Sequence, residues 1–296
     1  MNILLTGGTG LIGRALCRAL LERGCEITVL SRRPATVGER CGAVRAIHSL
    51  DQWRPGDRYD AVINLAGAPI VGGRWSARRK RTLWDSRVAL TEALVEKIAA
   101  AGTRPGALLS GSAVGFYGDS GDLEVTESAP AGDDFGARLC DAWEQAARRA
   151  EDLGVRVCLL RTGLVLSRAG GMLARMLPPF RLGLGARLGD GSQWMSWIHI
   201  DDQVAMTVKL LFEDAHHGAY NLCAPEPVRN ADFTARLAAT VHRPAVLFAP
   251  APVIHAALGE AACLLLGGQR AAPARMTAAD YRFRHAALDG ALQQLL

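Results

Sequence analysis

A chain of 296 residues with 49% hydrophobic and 21% charged side chains can bury a substantial core, and its balance excludes a disordered protein in favour of one large or two smaller folded domains. The net charge of +5 arises from 34 basic and 29 acidic residues spread over many segments, which argues against nucleic acid as a partner; the tightest basic cluster, Arg74 to Arg81, reads as a solvated helix start. Seven cysteines, odd in number and widely spaced, include no C-x-x-C pair to suggest a metal or redox site, so small apolar residues in a reducing compartment and no metal site are expected.

The chain enters a strand without a charged leader or cleavage site, and no apolar run approaches the roughly 20 residues that span a bilayer, so a cytoplasmic protein with no membrane partner is expected. Asn2 to Thr6 has the length and apolar content of a buried parallel strand and breaks into glycines before a helical pattern begins at Leu11. Leu11, Ala15, Leu16, Ala19 and Leu20 recur at helical spacing, Gly24 stops the helix, and Glu26 to Leu30 is a second strand. Ala61 to Leu65, Ala107 to Ser110 and Val155 to Leu160 are strand-like, with helical patterns over Ala77 to Ala101 and Ala137 to Leu153 between them. This alternation predicts an α/β protein with a doubly wound parallel sheet, the Rossmann architecture. Residues 168 to 192 are rich in glycine and proline and predict a loop-rich region near a ligand. Trp197 to Ile200 then reads as a strand, Asp202 to Glu213 as a helix and Ala219 to Leu222 as a strand, followed by apolar segments at Val253 to Leu266 and Leu288 to Leu296. The predicted division is a cofactor domain over 1–165, to which 198–222 returns, and a smaller, mostly helical substrate lobe over 166–296.

The run Thr6-Gly7-Gly8-Thr9-Gly10-Leu11-Ile12-Gly13 places Gly7, Gly10 and Gly13 between strand and helix. Such glycines allow a tight turn, close approach of backbone to a pyrophosphate, and close helix–strand packing, with the phosphate charge at the helix N-terminus. Thr9, Leu11 and Ile12 complete the predicted cradle. An NAD-selective site usually carries an acidic residue at the end of the second strand for the ribose hydroxyls. Ser31, Arg32 and Arg33 stand there instead, and a hydroxyl followed by guanidinium groups suits an adenosine 2′-phosphate, so NADP(H) is the expected cofactor.

The glycine motif, Asn64-Leu65-Ala66-Gly67 and Trp197-Ile198-His199-Ile200-Asp201-Asp202 resemble the extended short-chain dehydrogenase/reductases, the class of sugar-nucleotide epimerases and dehydratases. The match is closer to the epimerase family protein branch. It rests on Gly73-Arg74-Trp75, Asp85-Ser86-Arg87, Ser112-Ala113-Val114-Gly115-Phe116-Tyr117-Gly118, Pro179-Phe180-Arg181-Leu182-Gly183-Leu184-Gly185, Gln193-Trp194-Met195-Ser196-Trp197-Ile198-His199, and Gly268-Gln269 with Pro273. The resemblance implies that Leu65, Ala66 and Gly67 line the adenine and ribose side of the cofactor, that Thr82 and Arg87 approach it, and that Val165 lies near the nicotinamide.

The wider superfamily usually transfers hydride with a Tyr-x-x-x-Lys pair, the lysine lowering the tyrosine pKa. Tyr59, Tyr117, Tyr220 and Tyr281 are followed four residues later by Ile63, Gly121, Ala224 and His285, so the pair is absent. By the same resemblance Ser112 occupies the active-site hydroxyl position and Tyr117 falls in a Val-Tyr-Gly-like segment; these two are the catalytic candidates. Arg138, on the helix that would present the lysine, reads as a solvated cation. Arg161, at the carboxyl edge of a strand, and Gln193 and Trp194 are expected on the substrate side, whereas His199, Asp201 and Asp202 read as structural, an aspartate capping the following helix. Two functions follow: an NADP(H)-dependent oxidoreductase or epimerase with a non-standard acid/base group acting on a small molecule, or a non-catalytic NADP(H)-binding sensor or scaffold. Helices at Ala77 to Ala101 and Ala137 to Leu153 build dimer interfaces in related folds, so a monomer or homodimer is expected.

Overall fold

The computed structural model describes residues 1–296. Seven strands form one parallel sheet: β1 (Asn2–Thr6), β2 (Glu26–Leu30), β3 (Arg45–Ile47), β4 (Ala61–Asn64), β5 (Ala107–Ala113), β6 (Arg156–Thr162) and β7 (Gly218–Leu222). Their order across the sheet is β7-β6-β5-β4-β1-β2-β3. The chain winds outward in both directions from β1 and β4, so the loops leaving these two strands diverge and open a crevice at their carboxyl ends, where open α/β sheets bind ligands.

Alternation along each strand sends successive side chains to opposite faces, and both faces are covered. Ile3, Leu5, Ile27, Val29, Ile63 and Leu109 pack against Leu16, Leu20, Met206 and Leu210 of two helices, Leu11–Leu21 and Ile200–Phe212. Leu4, Val62, Leu108 and Leu159 meet Leu94, Ile98 and Ala147 on the other face. Burying each of these aliphatic side chains contributes about 1.5–3 kcal/mol, which is why the strands read as nearly continuous apolar runs.

The expected helix over Ala77 to Ala101 forms as Ala77–Trp84 and Leu90–Ala100, joined by a wider π-helical turn, Asp85–Ala89. The glycine- and proline-rich stretch departs from the loop reading. Gly171–Arg181 is a helix although Pro178 and Pro179, in its later part, each withdraw an amide donor, and Leu173, Leu177 and Phe180 bury against Trp197, Phe233 and Leu292. That cluster, with the helices Asn230–Thr240 and Leu288–Leu295, is the core of the smaller lobe. The two-stranded pair of Leu164–Leu166 with Trp197–His199 joins it to the sheet. No helix is long and apolar enough to cross a membrane.

Candidate cofactor cleft and the charge network beside it

The turn after β1 is made by backbone proximity that side chains would prevent. Gly7 has φ +71°, and a Cβ there would sit 2.5 Å from the Leu65 carbonyl oxygen at the end of β4. A Cβ on Gly13 would lie 2.7 Å from the Gly8 Cα, so its absence lets the helix Leu11–Leu21 start directly over the turn. Gly10 caps that helix with no side-chain hydrogen bond and no acidic residue follows in the first turn. The first amides of the helix therefore face outward unpaired by any side chain, at the positive end of its dipole, which is a site for an anion. Thr9, Leu11 and Ile12 are all half-buried around it.

The β4 side is held in register by a polar row. The Thr6 hydroxyl donates to Asn64 Oδ1 at 2.7 Å and accepts from the Ala66 amide at 3.1 Å, and Asn64 Nδ2 donates to Thr91 Oγ1 at 2.7 Å. Leu65 and Ala66 are thereby half-buried beside the glycine turn, and Gly67 is exposed. Arg87, carried by the π-helical turn, lies across Gly67: a Cβ there would be 2.9 Å from the guanidinium carbon. Its donors reach the Ala68 carbonyl at 3.0 Å and the Leu83 carbonyl at 3.4 Å, and it forms no ion pair with a carboxylate. Burial lowers its pKa, as for a cation without a counter-charge. Thr82 is exposed and its hydroxyl bonds back to the Arg78 carbonyl.

Ser31 leaves the end of β2 half-buried and accepts from the Arg33 amide at 3.2 Å; Arg32 is exposed and makes no salt bridge. Opposite, Gly171 is flanked by Leu11 and by the carbonyl of Val165, at virtual Cβ distances of 3.1 and 3.5 Å. Val165 and Leu11 thus both lie against Gly171, next to the start of the helix Leu11–Leu21.

Beyond β4 the sheet carries a second polar row, because strand register sets Ser112 of β5 beside Arg161 of β6 and Arg161 beside Asn221 of β7. Glu144, from the helix Phe135–Arg148, reaches down onto this row. Arg161 grips it with both prongs, Nε to Oε1 at 2.8 Å and Nη2 to Oε2 at 2.9 Å, with both residues almost wholly buried. Ser112 Oγ donates to Glu144 Oε1 at 2.7 Å. The third arginine nitrogen donates to the Tyr117 oxygen at 3.0 Å and to the Glu127 carbonyl at 3.2 Å, and the Tyr117 hydroxyl donates to Asn221 Oδ1 at 2.6 Å. The Arg161 guanidinium also lies 3.5 Å from the Phe116 ring centroid. Burial works against the arginine's charge, yet the Glu144 carboxylate holds its pKa above the ordinary value. Burial pushes the Tyr117 phenol up to about 12, although Arg161 and Asn221 pull in the opposite direction. The thiol of Cys140, one helical turn before Glu144, is also pushed up to about 12 by burial and by the nearby carboxylate.

Ser112, Tyr117 and Arg161 are thus brought into one connected group, completed by Glu144 and Asn221. The sequence reading singled out neither of these two. A signal was present in the first, a carboxylate among Leu139, Cys140, Trp143 and Ala147 on the apolar face of an amphipathic helix, which demands a buried cation.

Gln193 and Trp194 sit at the seam between the smaller lobe's segments. Gln193 Nε2 donates to the carbonyls of Leu265 and Leu188 at 2.7 and 3.2 Å. Trp194 lies between the Arg229 and Arg270 guanidiniums, with its indole N–H on Asp122 at 2.9 Å. Arg138 is exposed and bonds back to the Asp133 carbonyl. The cap of the helix Ile200–Phe212 differs from the expected aspartate: His199 Nδ1 accepts from the Asp201 amide at 3.1 Å. Asp202 is freed to clamp the tail, accepting from Tyr281 Oη and from the Arg284 and His285 amides at 2.8–2.9 Å.

Residues 3–223 match the family model described as the NAD dependent epimerase/dehydratase family, and residues 249–295 match a domain of unknown function, DUF1731. An epimerase family protein of Mycobacterium bovis is 42% identical over 291 residues, covering 98% of this chain and 96% of that protein. The crystal structure of human epimerase family protein SDR39U1 with NADPH superposes with a TM-score of 0.91 at 35% identity, covering 100% of this chain and 99% of that one. A nucleoside-diphosphate sugar epimerase from Corynebacterium glutamicum gives a TM-score of 0.77 at 32% identity, covering all of this chain and 58% of that one. With its glycine turn, its seven-stranded parallel sheet and these likenesses along its whole length, the chain belongs to the NAD dependent epimerase/dehydratase family.

Proposed function

We propose that this chain binds NADP(H) and works as an oxidoreductase or epimerase-type enzyme on a small molecule, without a Tyr-x-x-x-Lys pair. The observation that carries the cofactor assignment is a pair of arginines lacking carboxylate partners beside an uncapped helix N-terminus. Arg87 lies over Gly67 and Arg32 extends from the end of β2, so the cleft is cationic at two separated places. A dinucleotide bearing a diphosphate and a further 2′-phosphate supplies anions for both. The human relative, whose crystal structure contains NADPH, supports the same choice. Gly7, Gly10 and Gly13 with Thr9, Leu11 and Ile12 would hold the diphosphate, with Thr82 and Arg87 approaching the cofactor, Arg87 as a counter-charge; Ser31 and Arg32 would hold the 2′-phosphate, Leu65 to Gly67 would line the adenine and ribose side, and Val165 the nicotinamide end. When bound, the nicotinamide supplies or accepts hydride.

Ser112 is the side chain proposed to meet the substrate oxygen. Its one proton is directed to Glu144, so it presents lone pairs to the cleft and orients a hydroxyl-bearing ligand. Tyr117, the other catalytic candidate, gives its proton to Asn221 and serves to hold Arg161. The same saturation favours a second reading, a sensor or scaffold that binds NADP(H) without turnover, since no acid or base in this network is left unpaired.

Fluorescence titration with NADPH, NADH and ATP tests the cofactor. NADPH should bind tightest, and Arg32→Ala should narrow its advantage over NADH by about tenfold or more, equivalent to roughly 1.4 kcal/mol; an unchanged ratio removes Arg32 from the site. A panel of carbonyl compounds and sugar nucleotides with saturating NADPH, or of alcohols with NADP+, separates enzyme from sensor. Turnover abolished in Ser112→Ala supports the first, and none above a cofactor-only blank supports the second.

A further inference from the structure

We propose that His199, Asp201 and His285 form a binding site for a divalent transition-metal ion of the zinc class, which staples the C-terminal segment to the strand–helix junction at residue 199. This goes beyond the cofactor reading and does not depend on it.

The three residues come from distant parts of the chain. His199 ends the strand Trp197–His199 and is almost wholly buried, Asp201 opens the following helix with its carboxylate half-exposed, and His285 lies in the tail just before the helix Leu288–Leu295. One potential ligand atom from each lies within 4.8 Å of the others. His199 Nδ1 is 3.7 Å and His285 Nε2 is 3.8 Å from the same oxygen, Asp201 Oδ2. A hydrogen bond between imidazole and carboxylate would bring these atoms to about 2.8 Å. The three converge without closing on one another, and the two imidazoles stack at a centroid distance of 3.8 Å. Ligands held about 2.1 Å from a tetrahedral ion stand roughly 3.4 Å apart, so two of the three spacings are already near that geometry.

The tautomer is set for coordination. His199 Nε2 lies 2.9 Å from Gln294 Oε1, an oxygen that only accepts, so Nε2 carries the proton and Nδ1 presents its lone pair. An imidazole whose remote N–H is held by a carbonyl oxygen is the common arrangement around metal-bound histidine. That lone pair accepts the Asp201 amide at 3.1 Å, and the ion would take the place of this one capping hydrogen bond. The tail is placed beforehand, because Asp202 already holds the amides of Arg284 and His285. Two imidazoles and one carboxylate favour zinc, nickel, cobalt or copper over magnesium and calcium, and the exposed side of Asp201 leaves room for water as a further ligand.

The test is calorimetric titration of the metal-free full-length chain with Zn2+, with Mg2+ as the comparison and circular dichroism to check that each variant is folded. The expected result is one saturable Zn2+ site per chain, weakened at least about tenfold in both His285→Ala and Asp201→Asn and unchanged in Cys263→Ser. Zn2+ should also protect the chain after residue 280 from limited proteolysis in the wild type and not in His285→Ala. No saturable binding by the wild type, or equal binding by the wild type and both ligand variants, overturns the proposal.

Discussion

The two polar centres at the carboxyl edge of the sheet are built in opposite ways. The turn at residues 6–13 is a backbone device, in which missing side chains let main-chain amides crowd one place, and nearly all of it comes from one continuous stretch. The centre around Arg161 is a side-chain device, assembled from β5, β6, β7 and the helix Phe135–Arg148, with each of its side-chain nitrogens and oxygens hydrogen-bonded. The first leaves its polar groups open and waits for an anion. The second is closed and balanced within the protein, so removing any member leaves another buried and unpaired.

The largest expected effect tests whether that closure is stabilising. Glu144→Gln removes the charge facing a buried guanidinium and should cost about 3–5 kcal/mol in urea denaturation. Because the turn is built separately, the protein that remains folded should bind NADPH within about threefold of the wild type, a difference below roughly 1 kcal/mol. Loss of binding in folded Glu144→Gln would mean that the two centres form a single unit. Gly13→Ala strikes the other centre: its Cβ meets the Gly8 backbone, and overpacking of this kind costs about 1–3 kcal/mol. Here the order of effects reverses, with NADPH affinity by fluorescence titration falling more than about tenfold, equivalent to roughly 1.4 kcal/mol, while the denaturation midpoint moves less than in Glu144→Gln.

This contrast also governs how much was legible in the sequence. The glycine turn could be read because its requirements are local: a strand, glycines three residues apart, then a helix. The strands with apolar runs were readable for the same reason, whereas β3 is only three residues long and offers no period. The helix Gly171–Arg181 was hidden because its glycines and prolines mask the buried face of Leu173, Leu177 and Phe180. Ser112, Tyr117 and Arg161 could each be named, but their connection through Glu144 and Asn221 depends on strand register and on the rotation of one helix, which no single segment encodes. The histidine cap at His199 escaped because aspartate next to it is the commoner solution.

The smallest effect concerns the protonation of Tyr117, and its sign distinguishes a structural phenol from a catalytic one. Replacement by Phe removes the acceptor of Arg161 and the donor to Asn221, which should cost about 1–2 kcal/mol near pH 8. The folded phenol is held up to about 12, above the roughly 10 of an unfolded tyrosine. Between these values the unfolded chain has lost the proton that the folded chain retains, so rising pH favours unfolding of the wild type and leaves position 117 of the variant unaffected. The penalty for Tyr117→Phe, measured from urea midpoints of both proteins at pH 8, 10 and 11, should therefore shrink as the pH rises through 10. A phenol tuned for acid/base work would have a folded pKa lowered below the unfolded value. Its ionised form would be the stabilised one, and the penalty would grow with pH over the same range. A growing penalty would return Tyr117 to the catalytic role and leave the Arg161 centre poised for proton transfer instead of closed.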